Sequence, residues 1–244
     1  MQNVIVTGGS RGLGLAITKK LAAAGYGAIA IARKETPQLA AAIAEASRER
    51  PDAIRFVPFD LGDIDKMQQF VAGLRKSFGP IYGLVNNAAL GTDGALSLMS
   101  NAKIAELVHL NTLSPITLTK YVVRAMMADG GGRVVNVASI VAFTGYSGLS
   151  VYSATKASML GFTRSLAREV GRMGVNVNAV APGFLDTEMT QGMADDQRAR
   201  VARRSALQRL PVVEDVGNAV AFLLGDGARS ITGTVLTVDA GSTA

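Results

Sequence analysis

Cysteine is absent from the 244 residues, which excludes disulfides, thiolate zinc sites and a cysteine nucleophile. Tryptophan is also absent, and tyrosine and phenylalanine together make up only 5% of the chain. That leaves few stacking platforms for nucleic-acid bases. A single histidine, His109, lies two residues before Asn111 on a mostly apolar stretch. It reads as a packing residue, and no metal site is expected. No uninterrupted apolar run approaches the roughly 20 residues that span a bilayer. The start, Met1-Gln2-Asn3, has no basic region ahead of an apolar one, so no secretory signal is expected. A cytoplasmic protein without membrane association is the simplest expectation.

What is present is core material. The chain is 48% hydrophobic and 18% charged, and its 27 glycines are scattered rather than periodic. The net charge is +6, but most basic residues are dispersed. One dense run, Arg198, Arg200, Arg203, Arg204 and Arg209, reads as a solvated helix face. Were it a partner site, an acidic carrier or a phosphate-bearing substrate would suit it better than DNA. Nucleic-acid binding is therefore not expected.

Short apolar runs alternate with helical stretches from end to end. Strands are predicted at Val4–Thr7, Ala28–Ala32, Ile54–Pro58, Gly83–Asn86, Arg133–Ala138, Val175–Val180 and Val235–Val238. They are apolar on both faces, as strands buried between two helical layers must be. Helices are predicted near 12–24, 36–49, 64–78, 101–128, 150–173 and 213–225. This alternation gives right-handed crossovers and a parallel sheet. The fold class is therefore α/β, a doubly wound parallel seven-stranded sheet of Rossmann type. A single domain over 1–244 is expected, because no linker, composition break or repeat interrupts it. The long insert after the sixth strand suggests a lid near 184–210.

The first strand runs into Thr7-Gly8-Gly9-Ser10-Arg11-Gly12-Leu13-Gly14, and a helical pattern follows at once. Glycines there let the backbone turn tightly against a pyrophosphate, and the helix N-terminus offers free N–H groups to it. The spacing is G-x-x-x-G-x-G rather than the commoner G-x-G-x-x-G. At the end of the second strand, an enzyme using NAD typically has an acid for the ribose 2′-hydroxyl. This chain reads Ala32-Arg33-Lys34 instead. Arg33 could pair bidentately with a 2′-phosphate, and Arg11 could approach the same group. NADP(H) is thus the expected cofactor; the alternative is that both are surface arginines at loop tips.

Four further pieces follow in order: Leu84-Val85-Asn86-Asn87-Ala88-Ala89, Asn111, Ser139 after the fifth strand, and Tyr152-Ser153-Ala154-Thr155-Lys156. With the glycine turn they closely resemble the short-chain dehydrogenase/reductase family, over essentially the whole chain. Within that family, Ser165-Leu166-Ala167-Arg168-Glu169-Val170, Ala181-Pro182-Gly183-Phe184 and Ile231-Thr232-Gly233 look most like 3-oxoacyl-[acyl-carrier-protein] reductases. The chemistry can be argued independently of the resemblance. Tyr152 and Lys156 are four apart and share a helix face. A free tyrosine titrates near 10, and a neighbouring ammonium lowers that value. Tyr152 can then serve as general acid or base on a carbonyl or alcohol, with Ser139 bonding the oxygen where charge develops. Singly, such residues are ordinary surface pairs, turns and caps.

The resemblance implies more. Lys156 binds the nicotinamide ribose, and Asn111 holds a water in a proton relay. Asp60 and Leu61 bracket the adenine, although Asp60 reads nearly as well as an N-cap for a helix over Leu61–Phe78. Asn87 and Ala88 line the adenosine ribose, while Pro182, Gly183 and Thr187 lie towards the nicotinamide. The implied reaction is NADPH-dependent reduction of a 3-oxoacyl thioester. A dehydrogenase of alcohols, sugars or small ketones is the alternative, and a catalytically silent NADP-binding regulator the rival from another class. Helices 101–128 and 150–173 imply a homotetramer. Two departures stand out. Ala89 replaces the usual glycine of Asn-Asn-Ala-Gly, and would cost of order 1 kcal/mol if that position needs a positive φ. Gly130 and Met173 stand where reductases that dock an acyl carrier protein bear basic residues.

Overall fold

Residues rich in Val, Ile and Ala form seven parallel strands: β1 (Asn3–Thr7), β2 (Gly27–Ala32), β3 (Ile54–Pro58), β4 (Ile81–Asn86), β5 (Gly132–Val137), β6 (Val175–Pro182) and β7 (Val235–Val238). The computed structural model describes residues 1–185 and 195–244, and of 195–198 the backbone alone. The sheet order is β3-β2-β1-β4-β5-β6-β7, so the winding reverses between β1 and β4. The helices are α1 (Gly12–Ala23), α2 (Pro37–Glu49), α3 (Met67–Phe78), α4 (Asn101–Val108), α5 (Ser114–Ala128), α6 (Val141–Thr144), α7 (Ser150–Val170), α8 (Asp195–Arg204) and α9 (Val213–Leu224).

Alternation along each strand divides the core into two layers. Val4, Val6, Ala28 and Ala30 pack with Ile17 and Leu21 of α1 and Val216 and Val220 of α9. Ile5, Ile29 and Ile31 pack on the other side with Leu74 of α3, Val122 of α5 and Val170 of α7. Burial on both faces is why the strands carry no polar alternation. No helix among the described residues is long and apolar enough to cross a membrane.

Three helices differ from the sequence expectation. The stretch 101–128 is not one α-helix: a π-helical turn, His109–Leu113, separates α4 from α5. Pro115 has no N–H to return to the carbonyl of Asn111, so the regular ladder fails there. The helix expected from Leu61 begins with a single 3₁₀ turn, Ile64–Lys66, and becomes α-helical at Met67. Asp60 is therefore not its N-cap; its carboxylate accepts the Gly62 N–H at 2.9 Å in a tight turn ahead of it. The insert contains α8, where the sequence indicates only a solvated helix face without bounds, and Arg209 of that run lies beyond its end. Residues 186–194 of the expected lid lie outside the described residues.

One polar thread crosses this apolar interior. Asn86 at the end of β4 donates to Thr119 Oγ1 on α5 and to Asn136 Oδ1 on β5, both at 2.8 Å. Asn136 in turn donates to Thr163 Oγ1 on α7 at 2.8 Å. All four residues are buried. Among the described residues the Asn86 Oδ1 alone of the thread's amide groups lacks a partner, and the bonds that are made specify one alignment of the packed elements.

Candidate active site

The carboxyl ends of β1, β4, β5 and β6 lie side by side, because these strands pair in register through Val6–Val85, Asn86–Asn136 and Val137–Val180. Ligands in doubly wound sheets bind at such an edge, where the winding reverses. Nearly every described residue singled out in the sequence falls at this edge.

The glycine turn is built for close approach. Gly8 sits at φ +66, where its Cβ would lie 3.1 Å from the Ala88 backbone. A Cβ on Gly14 would lie 2.0 Å from the Gly8 carbonyl oxygen, so no side chain fits where α1 presses on the turn. The N-cap of α1, Arg11, makes no capping side-chain bond, and no acid occupies the first turn. The N–H groups of Gly12, Leu13 and Gly14 thus have no side-chain cap, and the helix dipole adds partial positive charge. An anion is the ligand such an end accepts. Thr7 anchors the other wall: its Oγ1 accepts the N–H groups of Asn87 at 2.9 Å and Ala88 at 3.0 Å. The Asn87 amide donates to the Thr7 carbonyl at 2.9 Å. Ala89 does not adopt a positive φ, so alanine costs nothing there and the expected strain does not arise.

Ser10 is buried, and its carbonyl accepts the hydroxyl of Thr36. Thr36 also caps α2 by accepting the Leu39 N–H at 3.2 Å. This bond, which sequence reasoning missed, fixes the segment carrying Arg33 to the glycine turn. The threonine before Pro37 was the available signal. Arg11 and Arg33 are both exposed beside this turn, available to an anionic group.

The chemical centre lies on β5, α6 and α7. Lys156 is 5% exposed, and its Nζ donates to the Val137 carbonyl at 2.8 Å. That nitrogen lies 5.7 Å from the centre of the Tyr152 ring. Burial lowers the Lys156 pKa to about 8 and pushes the Tyr152 phenol up to about 12. The expectation that the ammonium would lower the tyrosine pKa is therefore corrected: desolvation of the phenolate outweighs it. The lysine is itself buried and spends a hydrogen on a backbone carbonyl. Ser139 is half-buried just after β5, its Oγ 3.4 Å from the Val141 N–H at the start of α6, which leaves its hydroxyl hydrogen free to donate elsewhere.

Asn111 lies in the π-helical turn, 3% exposed. Its Oδ1 accepts the Leu90 N–H at 2.8 Å, and its Nδ2 donates to the Leu90 carbonyl at 2.9 Å and to Thr155 Oγ1 at 3.2 Å. Thr155 in turn donates to the Tyr152 carbonyl at 2.7 Å. The Asn111 side chain is thus occupied as a clamp between the loop after β4 and the helix carrying Tyr152. Pro182 ends β6 and accepts the Ile140 N–H at 3.0 Å. Gly183 abuts Asp239, where a Cβ would lie 2.7 Å from the Asp239 Cβ. His109 is not simply a packing residue, since its Nε2 bonds the Gly62 carbonyl at 2.9 Å. Thr187 lies outside the described residues. No group of acidic or histidine side chains among the described residues is arranged to hold a metal.

Comparison with known proteins places the chain among relatives over almost its whole length. The 3-oxoacyl-[acyl-carrier-protein] reductase FabG of Escherichia coli (strain K12) is 38% identical over 237 residues, covering 97% of this chain and 95% of that protein. The reductase of the same name from Pseudomonas aeruginosa is 35% identical over 237 residues, again covering 97% and 95%. A short chain dehydrogenase from Burkholderia cenocepacia J2315, solved in complex with NADP, superposes with a TM-score of 0.91 at 33% identity, covering 100% of this chain and 98% of that one. The family model described as short chain dehydrogenase matches residues 2–198. With a half-buried Tyr152 beside the buried Lys156 at the edge of a doubly wound sheet, this chain belongs to the short chain dehydrogenase family.

Proposed function

We propose that the protein is an NADP(H)-dependent oxidoreductase that reduces a 3-oxoacyl thioester to the 3-hydroxyacyl form, with Tyr152 as proton donor. The observation that carries the reading is the buried Lys156 Nζ beside the Tyr152 ring. A lysine kept there has a chemical use that packing does not require. The similarity to 3-oxoacyl-[acyl-carrier-protein] reductases over 97% of the chain supports the substrate class.

The cradle fits NADP(H). The uncapped start of α1, with Gly8, Ser10, Gly12, Leu13 and Gly14, suits the pyrophosphate. Arg11 and Arg33 suit the 2′-phosphate, Asp60 and Leu61 the adenine, and Thr7, Asn87 and Ala88 the adenosine ribose. Tyr152, Lys156, Pro182 and Gly183 suit the nicotinamide ribose, with Thr187 beyond them. When bound, NADPH supplies hydride to the carbonyl carbon.

The chain's own residues handle the oxygen. At neutral pH Tyr152 keeps its proton, since its pKa is about 12, and it passes that proton from Oη to the oxygen as negative charge builds there. Ser139 Oγ–H donates to the same oxygen. The Lys156 ammonium balances the phenolate left behind. The Asn111 carbonyl, deprived of its helical donor by Pro115, is the group on which a relay water is held.

The lysine should show in pH dependence. Lys156 is cationic below about 8 and neutral above, so turnover should fall as pH rises through that value. Stability should move the opposite way. The unfolded chain keeps this proton up to 10.5, whereas the folded chain releases it near 8, so the unfolded state binds more protons between those values. Relative to Lys156→Met, wild type should gain roughly 3 kcal/mol across that window. Tyr152 contributes with opposite sign only above 10. Melting curves of the two proteins from pH 7 to 10 test this; parallel curves would sink it.

Gly130, exposed in the turn before β5, offers no side chain to an acyl carrier protein, and Met173 is 36% exposed with Arg172 beside it. This favours coenzyme A thioesters or free ketones as the second reading. The lid at 184–210 and the solvated arginines of α8, Arg203 and Arg204, belong to the same proposal. So does a homotetramer through α4–α5 and α7, whose Val108 and Leu113 are 44% and 43% exposed. Loss of NADPH absorbance with acetoacetyl-CoA, its carrier-protein counterpart and a panel of ketones tests the reading. Turnover of a thioester is expected, with little preference for the carrier form. Turnover of free ketones alone would overturn the substrate.

A further inference from the structure

The π-helical turn makes contacts that the reaction chemistry does not use. On one side Asn111 holds the loop after β4. On the other, His109 Nε2 bonds the Gly62 carbonyl at 2.9 Å, and Ser114 Oγ donates to the Leu61 carbonyl at 2.7 Å. Both carbonyls following Asp60 are thus held from one helical segment. The Gly62 N–H in turn holds the Asp60 carboxylate. Asp60 is itself exposed, so among the described residues this short turn is what fixes where its oxygens point. Pro115 breaks the regular ladder beside this turn, which is where the π-helical geometry stands.

We propose that His109 is a positioning residue for the adenosine half of the cofactor: it holds the Asp60-Leu61-Gly62 turn in its binding shape through the Gly62 carbonyl. This rests on the NADP(H) reading above. A carbonyl can only accept, so His109 Nε2 carries the hydrogen of this bond, and the bond holds the turn without any ligand. Preorganisation of this kind is read in affinity for one half of a ligand and not in the chemical step.

The test separates the halves. Dissociation constants of wild type, His109→Leu and His109→Gln are measured by calorimetry for NADPH, for adenosine 2′,5′-bisphosphate and for reduced nicotinamide mononucleotide. His109→Leu should bind NADPH and the bisphosphate about fivefold more weakly, the worth of one such bond. Nicotinamide mononucleotide affinity should be unchanged, and kcat at saturating NADPH should stay within about twofold. His109→Gln, whose amide offers a donor at similar reach, should recover most of the loss. If His109→Leu fails to fold, Ser114→Ala is measured instead with the same expected pattern. Unaltered bisphosphate affinity, an equal loss for the mononucleotide, or no rescue by glutamine would each overturn the role. Failure of the wild type to bind NADPH or the bisphosphate would refute the cofactor reading itself.

Discussion

Tyr152→Phe should lower kcat by roughly 10²–10⁴ on every ketone the wild type accepts, the range general-acid catalysis supplies, while NADPH binds nearly as before. The change removes one hydroxyl and keeps the ring, whose centre lies 5.7 Å from Lys156 Nζ. Lys156 remains tied to the Val137 carbonyl, so the floor of the site has no reason to move. Titration of the variant with NADPH, followed by turnover at saturation, separates the two effects. Retained turnover would remove Tyr152 from the mechanism. Lost binding together with lost turnover would show that the hydroxyl holds the cofactor rather than the proton.

The second large effect concerns the choice between two cofactors. Arg33→Asp should raise the KM for NADPH by roughly 10–100-fold, the worth of a charge-assisted bond to phosphate, and leave that for NADH within a few-fold. Arg33 is exposed at the end of β2, and its segment is pinned to the glycine turn through Thr36 and Ser10. Aspartate there repels a phosphate and accepts from a ribose hydroxyl. Steady-state kinetics with both cofactors decide the point. Equal changes in the two would mean that Arg33 does not read the phosphate and that Arg11 is the residue to replace next.

The sheet was legible because its strands are buried on both faces and therefore written in one alphabet. Each of the seven falls within two residues of its sequence position. Leu84-Val85 and Val134-Val135 left little else for those segments to be. The irregular helices were not legible. A π-helical turn leaves no periodic mark, and Pro115 signals an interruption without saying which kind. The site was legible where spacing carried chemistry, as in Tyr152 and Lys156 four apart. It was not where the outcome depends on burial: the sequence shows the lysine near the tyrosine, and only the fold shows that desolvation governs both. Ser114 went unnoticed because a hydroxyl bonded to a distant carbonyl has no local signature; the Thr36-Pro37 pair signalled a helix start but not the bond to Ser10. The polar thread had a faint one, an asparagine inside Val134-Val135-Asn136-Val137.

That thread bears on how such a protein changes over time. Thr163 lies 11 residues beyond Tyr152, about three turns of α7, so both are on one stripe of the helix. Apolar contacts between α7 and the sheet would survive a small slide, whereas the Asn136–Thr163 bond would not. The tyrosine is therefore indexed to β5 from within its own helix, through Thr163 and Lys156, beside the Asn111 clamp from the loop after β4. Loops other than the clamped one after β4 can be lengthened, shortened or rewritten to admit a different ketone without retuning the proton donor. New substrates can be acquired at the rim while the reaction stays where it is.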